Sequence, residues 1–144
     1  VRPDDAPLIQ LLQQEQVRII ACPDAARGMG SSLACGVRAL PAARAWLIAL
    51  GDMPAVPAQM VADLAQYLRA NGGIVAPSHK GRRGHPVGFS RTFFAELSQL
   101  DGDAGARRVI AAHEDQLALL PCADAGILCD IDRPEDLASA ASAD

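Results

Sequence analysis

The sequence predicts an α/β domain, a mostly parallel sheet with helices on both faces. Three observations predict it. Short aliphatic runs at 17–21, 46–50 and 74–76 alternate with stretches of helical period. Aromatic residues are only 3% of the 144 while hydrophobic residues are 50%, so small aliphatics on closely packed elements must build the core. No repeat or long linker interrupts the chain, and a domain of this size buries roughly 70% of its unfolded surface. A single domain over 1–144 is therefore expected.

Taken in order, Asp4 or Asp5 can cap a helix with Leu8, Ile9, Leu11 and Leu12 at helical spacing, ending near Gln16. Val17 to Ala21 reads as a buried strand. A glycine-bearing loop from Cys22 to Gly30 follows, and Ser31 or Ser32 can cap a helix from Leu33 to Leu40. Trp46 to Leu50 is the strongest strand, stopped by Pro54, which leaves Asp52 at its carboxyl end. Pro57 opens a helix carrying Met60, Val61, Leu64, Tyr67 and Leu68, and Asn71-Gly72-Gly73 closes it. Ile74 to Ala76 is a strand, Ser78 to His85 a basic loop, and Val87 to Phe89 a short extended piece. Helices are expected over Ser90–Leu100 and Ala104–His113, strands over Leu117–Leu120 and Ile127–Ile131, and a last helix from Pro134-Glu135-Asp136-Leu137.

Composition excludes some roles. Lys and Arg number 13 against 17 Asp and Glu, a net charge of −4, which is the wrong sign for a nucleic-acid binder. No apolar run approaches the roughly 20 residues that cross a bilayer, so no membrane role and a cytoplasmic location are expected. Cys22, Cys35, Cys122 and Cys129 show no Cys-x-x-Cys spacing, which disfavours a zinc site and predicts buried free thiols.

Three loops lie where an open α/β sheet places ligands, beyond the carboxyl ends of strands. In Gly28-Met29-Gly30-Ser31-Ser32-Leu33, glycines admit close backbone approach, and serines with free helix-start amides can donate to a base, ribose or phosphate; an ordinary serine cap explains the same residues. In Gly51-Asp52-Met53-Pro54, a pinned carboxylate suits a hard cation such as Mg2+, which needs a second carboxylate; Asp130-Ile131-Asp132 can supply it. Asp52 can equally cap a turn, and Asp132 a helix. Lys80-Gly81-Arg82-Arg83-Gly84-His85-Pro86 concentrates positive charge, either as a solvated loop or as a contact for an anionic substrate.

These loops, together with Gly102-Asp103-Ala104-Gly105-Ala106-Arg107 and Asp130-Ile131-Asp132-Arg133-Pro134-Glu135-Asp136-Leu137, resemble the MobA-like nucleotidyltransferases, and most closely the MocA-like branch of molybdenum cofactor cytidylyltransferases. The resemblance covers nearly the whole chain. Gly30 stands where the branch often has Ser, and Arg133 where it often has Thr. It implies a Rossmann-like three-layer sandwich of the nucleotide-diphospho-sugar transferase type. It further implies transfer of CMP from CTP to the phosphate of molybdopterin with release of pyrophosphate. By carry-over Asp52 and Asp132 hold Mg2+ as catalytic residues, Gly28, Gly30, Ser31, Ser32 and Leu33 hold the nucleotide, and Arg82, Arg83, Gly84 and His85 face the acceptor. The substrates implied are an NTP and a molybdopterin-type compound; the protein partner implied is a component of molybdoenzyme maturation.

Such proteins open with a strand and a Gly-rich loop bearing Arg and Lys that cradles the NTP phosphates. The chain reads as starting past that first β-α unit. Residues 1–144 alone are accordingly expected to show no appreciable CTP-dependent pyrophosphate release, unless a group such as Arg27 takes the phosphate role. A sugar phosphate or other small phosphate as acceptor, and a nucleotide- or cofactor-binding module without turnover, are the competing readings.

Overall fold

Two sets of residues each fold on themselves in the computed structural model, which describes residues 1–133 and Asp136. One unit comprises Val1–Ala43 with Phe93–Glu114, the other Arg44–Thr92 with the segment from Asp115. In chain order the elements are α1 (Ala6–Gln14), α2 (Met29–Arg38), β1 (Ala45–Ile48), α3 (Ala58–Asn71), β2 (Ile74–His79), β3 (Arg82–Arg83), β4 (Val87–Ser90), α4 (Phe94–Ser98), α5 (Arg107–Ala112) and β5 (Leu117–Pro121). No helix among the described residues is long and apolar enough to cross a membrane. The expected helix from Pro134 to Leu137 lies, Asp136 apart, outside the described residues.

The first unit is helical. Asp5 caps α1 as expected, its side chain accepting from the Leu8 amide at 3.2 Å. Residues 17–21, expected as a strand, form none. The main-chain partner they find is Val1, whose nitrogen donates to the Ile20 carbonyl at 2.9 Å and whose carbonyl accepts from the Cys22 amide at 2.8 Å. A single facing residue cannot make a ladder. Helix α2 starts at Gly28 instead of at a serine cap, and Ser31 is buried inside it beside Gly30, Ala34 and Val37. Phe93, Leu97, Val109 and Ile110 are the buried apolar residues of α4, α5 and the 3-10 turn before α4.

The second unit holds the sheet. Helix α3 buries Met60, Leu64 and Leu68, four residues apart and so on one face. These pack with Val75 and Ile127 into a core flanked by Ala45, Leu47, Tyr67 and Leu120. Helix and sheet touch so closely at Gly88 that a Cβ there would come within 2.6 Å of a Leu68 methyl. Gly72 and Gly73 end α3 with φ of 69° and 73°, left-handed values that turn the chain straight into β2.

The sheet is mixed, which corrects the expectation of a mostly parallel one. Only β2–β5 is parallel, while β1–β4, β2–β4 and β2–β3 are antiparallel. The reason is connection length: a parallel pair needs a crossover of a dozen or more residues, and 80–86 is too short to provide one. Lys80 and Gly81, with φ of 49° and 78°, instead make a two-residue hairpin turn that pairs Ser78 with Arg83 and His79 with Arg82. The basic "loop" is thus largely a hairpin. Residues 127–131, expected as a strand, begin inside a 3-10 turn, Ala125–Leu128, because Asp124 accepts from the Gly126 amide at 2.7 Å and starts that turn.

Candidate functional site

In the sheet unit, chain geometry gathers three of the predicted motifs along the segment 125–132. Asp52 lies in the turn after β1, and its carbonyl accepts from the Ile131 amide at 2.8 Å. That bond sets the peptide of Asp52 beside the residue preceding Asp132. Upstream, the His85 amide donates to the Ile127 carbonyl at 3.0 Å and the Gly84 amide to the Pro77 carbonyl at 2.9 Å. A side chain at Gly84 would run into Ile127, and one at Gly126 into the Ala55 carbonyl. Loop 51–55, the hairpin's return and the 125–132 segment are therefore in backbone contact, and glycines permit it.

Asp52, Asp130 and Asp132 are exposed, as are Arg82 and Arg83 on β3; Gly84 is buried and His85 half-buried. The helix that Asp132 would cap lies, Asp136 apart, outside the described residues. The Asp136 carboxylate accepts from the amides of Asp132 and Arg133, at 3.1 and 2.9 Å. Among the described residues the Asp52 and Asp132 carboxylates have no hydrogen-bond or ion-pair partner, which leaves hard oxygen donors for a cation. His79 turns its Nδ1 to the Cys122 carbonyl at 2.9 Å, a link that pins β2 to the end of β5.

In the helical unit the predicted nucleotide loop meets the fourth motif. The Gly30 amide donates to the Gly102 carbonyl at 2.7 Å, and the buried Ser31 hydroxyl donates to Asp101 Oδ1 at 2.5 Å. The other Asp101 oxygen pairs with the Arg27 guanidinium. Any Cβ on Gly30 would lie 2.8 Å from the Gly102 carbonyl oxygen. Gly28 and Gly30 thus admit the 101–103 backbone, Ser31 gives its proton to a carboxylate, and Arg27 serves that same carboxylate. Ser32 and Leu33 are half-buried.

Asp101 was not legible as a site residue. Asp101-Gly102-Asp103 reads as a turn between helices, and nothing in its spacing points seventy positions back to Ser31. The Ser31 hydroxyl, then the Gly102 amide, then Arg27 hold the Asp101 carboxyl below the ordinary carboxylate range. A depressed folded-state value means that the stabilisation is complete above the ordinary range and fades as pH falls through the folded value. Asp101→Asn should accordingly lower the urea midpoint at neutral pH, and its deficit should narrow as pH falls below the ordinary carboxylate range and the native carboxyl protonates as well. A deficit independent of pH would assign the effect to packing.

Residues 1–117 match the MobA-like NTP transferase domain, and the chain belongs to that family. The purine catabolism protein PucB of Bacillus subtilis is 32% identical over 126 residues, covering 85% of this chain and 60% of PucB. The molybdenum cofactor cytidylyltransferase of Escherichia coli is 27% identical over 127 residues, covering 88% of this chain and 64% of that enzyme. The chain thus spans less than two thirds of the length of either. Among solved structures, the homologue of Mycobacterium tuberculosis Rv0371c from Mycobacterium sp. strain JC1 superposes with a TM-score of 0.74 at 28% identity, covering 96% of this chain and 71% of that one. Rv0371c from M. tuberculosis H37Rv in complex with manganese gives 0.63 at 26% identity, covering 79% of this chain and 61% of that one.

Proposed function

We propose that the protein transfers CMP from CTP to the phosphate of a molybdopterin-type acceptor and releases pyrophosphate. The observation that carries this reading is the Ile131–Asp52 backbone bond, which sets the two cation-binding candidates Asp52 and Asp132 on adjoining segments of one unit. The likeness to a cytidylyltransferase supports the nucleotide and the acceptor.

Asp52 and Asp132 would hold a magnesium ion, and their chemistry fits: two exposed carboxylates with no hydrogen-bond or ion-pair partner among the described residues, leaving coordination positions for water and substrate phosphates. Among the described residues no group of three or more His, Cys, Asp or Glu could hold a metal by itself, so substrate oxygens must complete the shell. When bound, the cation supplies charge neutralisation on the phosphate oxygens. Arg82 and Arg83, exposed on a hairpin whose return is fixed by the His85 and Gly84 amides, offer guanidinium groups to the acceptor phosphate. Ser32, Leu33 and the start of α2 are assigned to the base and ribose. Gly28, Gly30 and Ser31 shape that loop from within through the 101–103 contact. No residue acts as a covalent nucleophile; an acceptor phosphate oxygen attacks in line, and the site contributes orientation and positive charge.

A second reading keeps the transfer and changes the acceptor to a sugar phosphate or another small phosphate; what favours a different acceptor is that PucB, of higher identity than the cytidylyltransferase, is named for purine catabolism. The test measures pyrophosphate release by the full-length protein from each of the four NTPs, with molybdopterin or with sugar phosphates as acceptor. Release that requires both CTP and molybdopterin is the expected result. Release with a different acceptor establishes the second reading, and nucleotide binding without release under any pairing replaces both with a binding module.

A further inference from the structure

We propose that Cys22 and Cys35 form a redox-sensitive dithiol, a modification site that closes to a disulfide across the loop carrying Gly28, Gly30, Ser31 and Ser32. The placement is reciprocal. The Cys22 thiol donates to the Ser31 carbonyl at 3.7 Å, one helical turn before Cys35, and the Cys35 thiol donates to the Ala21 carbonyl at 3.9 Å, the residue before Cys22. Each sulfur therefore reaches across to the other cysteine's own stretch of backbone. Cys122 and Cys129 differ: their thiols donate locally, to the carbonyls of Asp124 and Ala125 at 3.5 and 3.4 Å.

Burial first, and then the neighbouring Cys22, push the Cys35 thiol up. Access is divided as a two-step oxidation requires. Cys35 is half-buried and can meet an oxidant, whereas Cys22 is 2% exposed and needs none, because its partner is intramolecular. With hydrogen peroxide as oxidant, the Cys35 thiolate attacks the O–O bond, giving a sulfenic acid and hydroxide, which takes a proton to become water. The Cys22 sulfur then attacks the sulfenic sulfur, the S–S bond forms as the S–O bond breaks, and the sulfenic hydroxyl leaves as water with the Cys22 thiol proton. Two thiols lose two electrons and the peroxide gains them. A dithiol reductant reverses the step by exchange.

Closure cross-links the ends of the 22–35 loop and so restricts the stretch in which Ser31 bonds Asp101. The inference stands apart from the proposed activity, because it is read by mass alone.

Peptide mapping tests it directly. Trypsin cuts after Arg18, Arg27 and Arg38, which puts Cys22 and Cys35 on adjacent peptides, 19–27 and 28–38. After brief peroxide treatment of the folded full-length protein and alkylation, a non-reducing digest should yield these two as one species, lighter than their sum by two hydrogen atoms. Dithiothreitol should separate them, and closure should speed up with pH as the Cys35 thiolate fraction rises. The Cys122→Ser/Cys129→Ser protein should cross-link equally, and Cys35→Ser should not cross-link. Recovery of the two peptides separately, each alkylated or with Cys35 over-oxidised, overturns the proposal; so does a species joining two copies of 28–38, which would place Cys35 between chains. The wild-type map decides even where Cys22→Ser fails to fold.

Discussion

Asp52→Asn should lower nucleotidyl transfer by on the order of 100-fold to 1000-fold and leave the fold intact. The side chain is exposed, and the contact Asp52 makes with the 125–132 segment runs through its backbone carbonyl, which the substitution does not touch. What is lost is a negative charge and a hard oxygen donor. The amide of asparagine keeps shape but offers a single neutral oxygen, so affinity for Mn2+, a hard surrogate for magnesium, should fall by roughly 10-fold to 100-fold as well. Asp132→Asn should do the same, whereas Asp136→Asn should act on stability, because that carboxylate receives the Asp132 and Arg133 amides. Manganese titration by electron paramagnetic resonance checks the binding, and pyrophosphate release checks the rate. Unchanged manganese affinity in both the Asp52 and Asp132 variants would remove the pair from the metal site, whatever happened to turnover.

What the sequence discloses of this arrangement depends on whether the signal is local. Helix α3 is legible from end to end, because Pro57, the spacing of Met60, Leu64 and Leu68, and Asn71-Gly72-Gly73 all act within a few residues. The Asp5 cap of α1 and the strands β2, β4 and β5 are legible for the same reason. Sheet direction is not. A β-branched run states that it is extended, and only the connection states which way its neighbour points; Lys80-Gly81 lacks the Asn or Asp that would flag a tight hairpin. The strand at 17–21 fails because strand formation needs a partner strand, and its composition cannot show that the main-chain partner it meets among the described residues is Val1.

The site divides along the same line. Asp52 and the 125–132 segment come together through main-chain bonds, so the motif order predicts the neighbours but not the atoms that join them. The glycines of the first motif mislead in an instructive way. A glycine before a helix suggests room for a ligand, and here the 101–103 backbone takes that room. The sequence shows that something must approach closely there; it cannot show whether that is a ligand or the chain itself.

Gly28→Ala should therefore be among the most destabilising single substitutions in the helical unit. Two independent causes add. At φ of 128° and ψ of 177° the residue occupies a region open essentially to glycine alone, and forcing a Cβ into it costs about 1–3 kcal/mol. That Cβ would also overlap the Gly102 backbone and the Asp103 carboxylate, and overpacking of a close contact costs about 1–3 kcal/mol more. The loss should be about 2–6 kcal/mol, a large part of a small domain's stability. Gly36 supplies the internal comparison, since it lies in the same helix, has helical backbone, and has nothing within 4 Å of where a Cβ would go. Gly36→Ala should gain about 0.5–1 kcal/mol from helix propensity alone. Urea unfolding of the two variants beside the wild type reads both signs at once. A small loss at Gly28, similar in size to the change at Gly36, would mean that the 101–103 loop moves aside at little cost, and that the first motif is as open to a ligand as its glycines suggest.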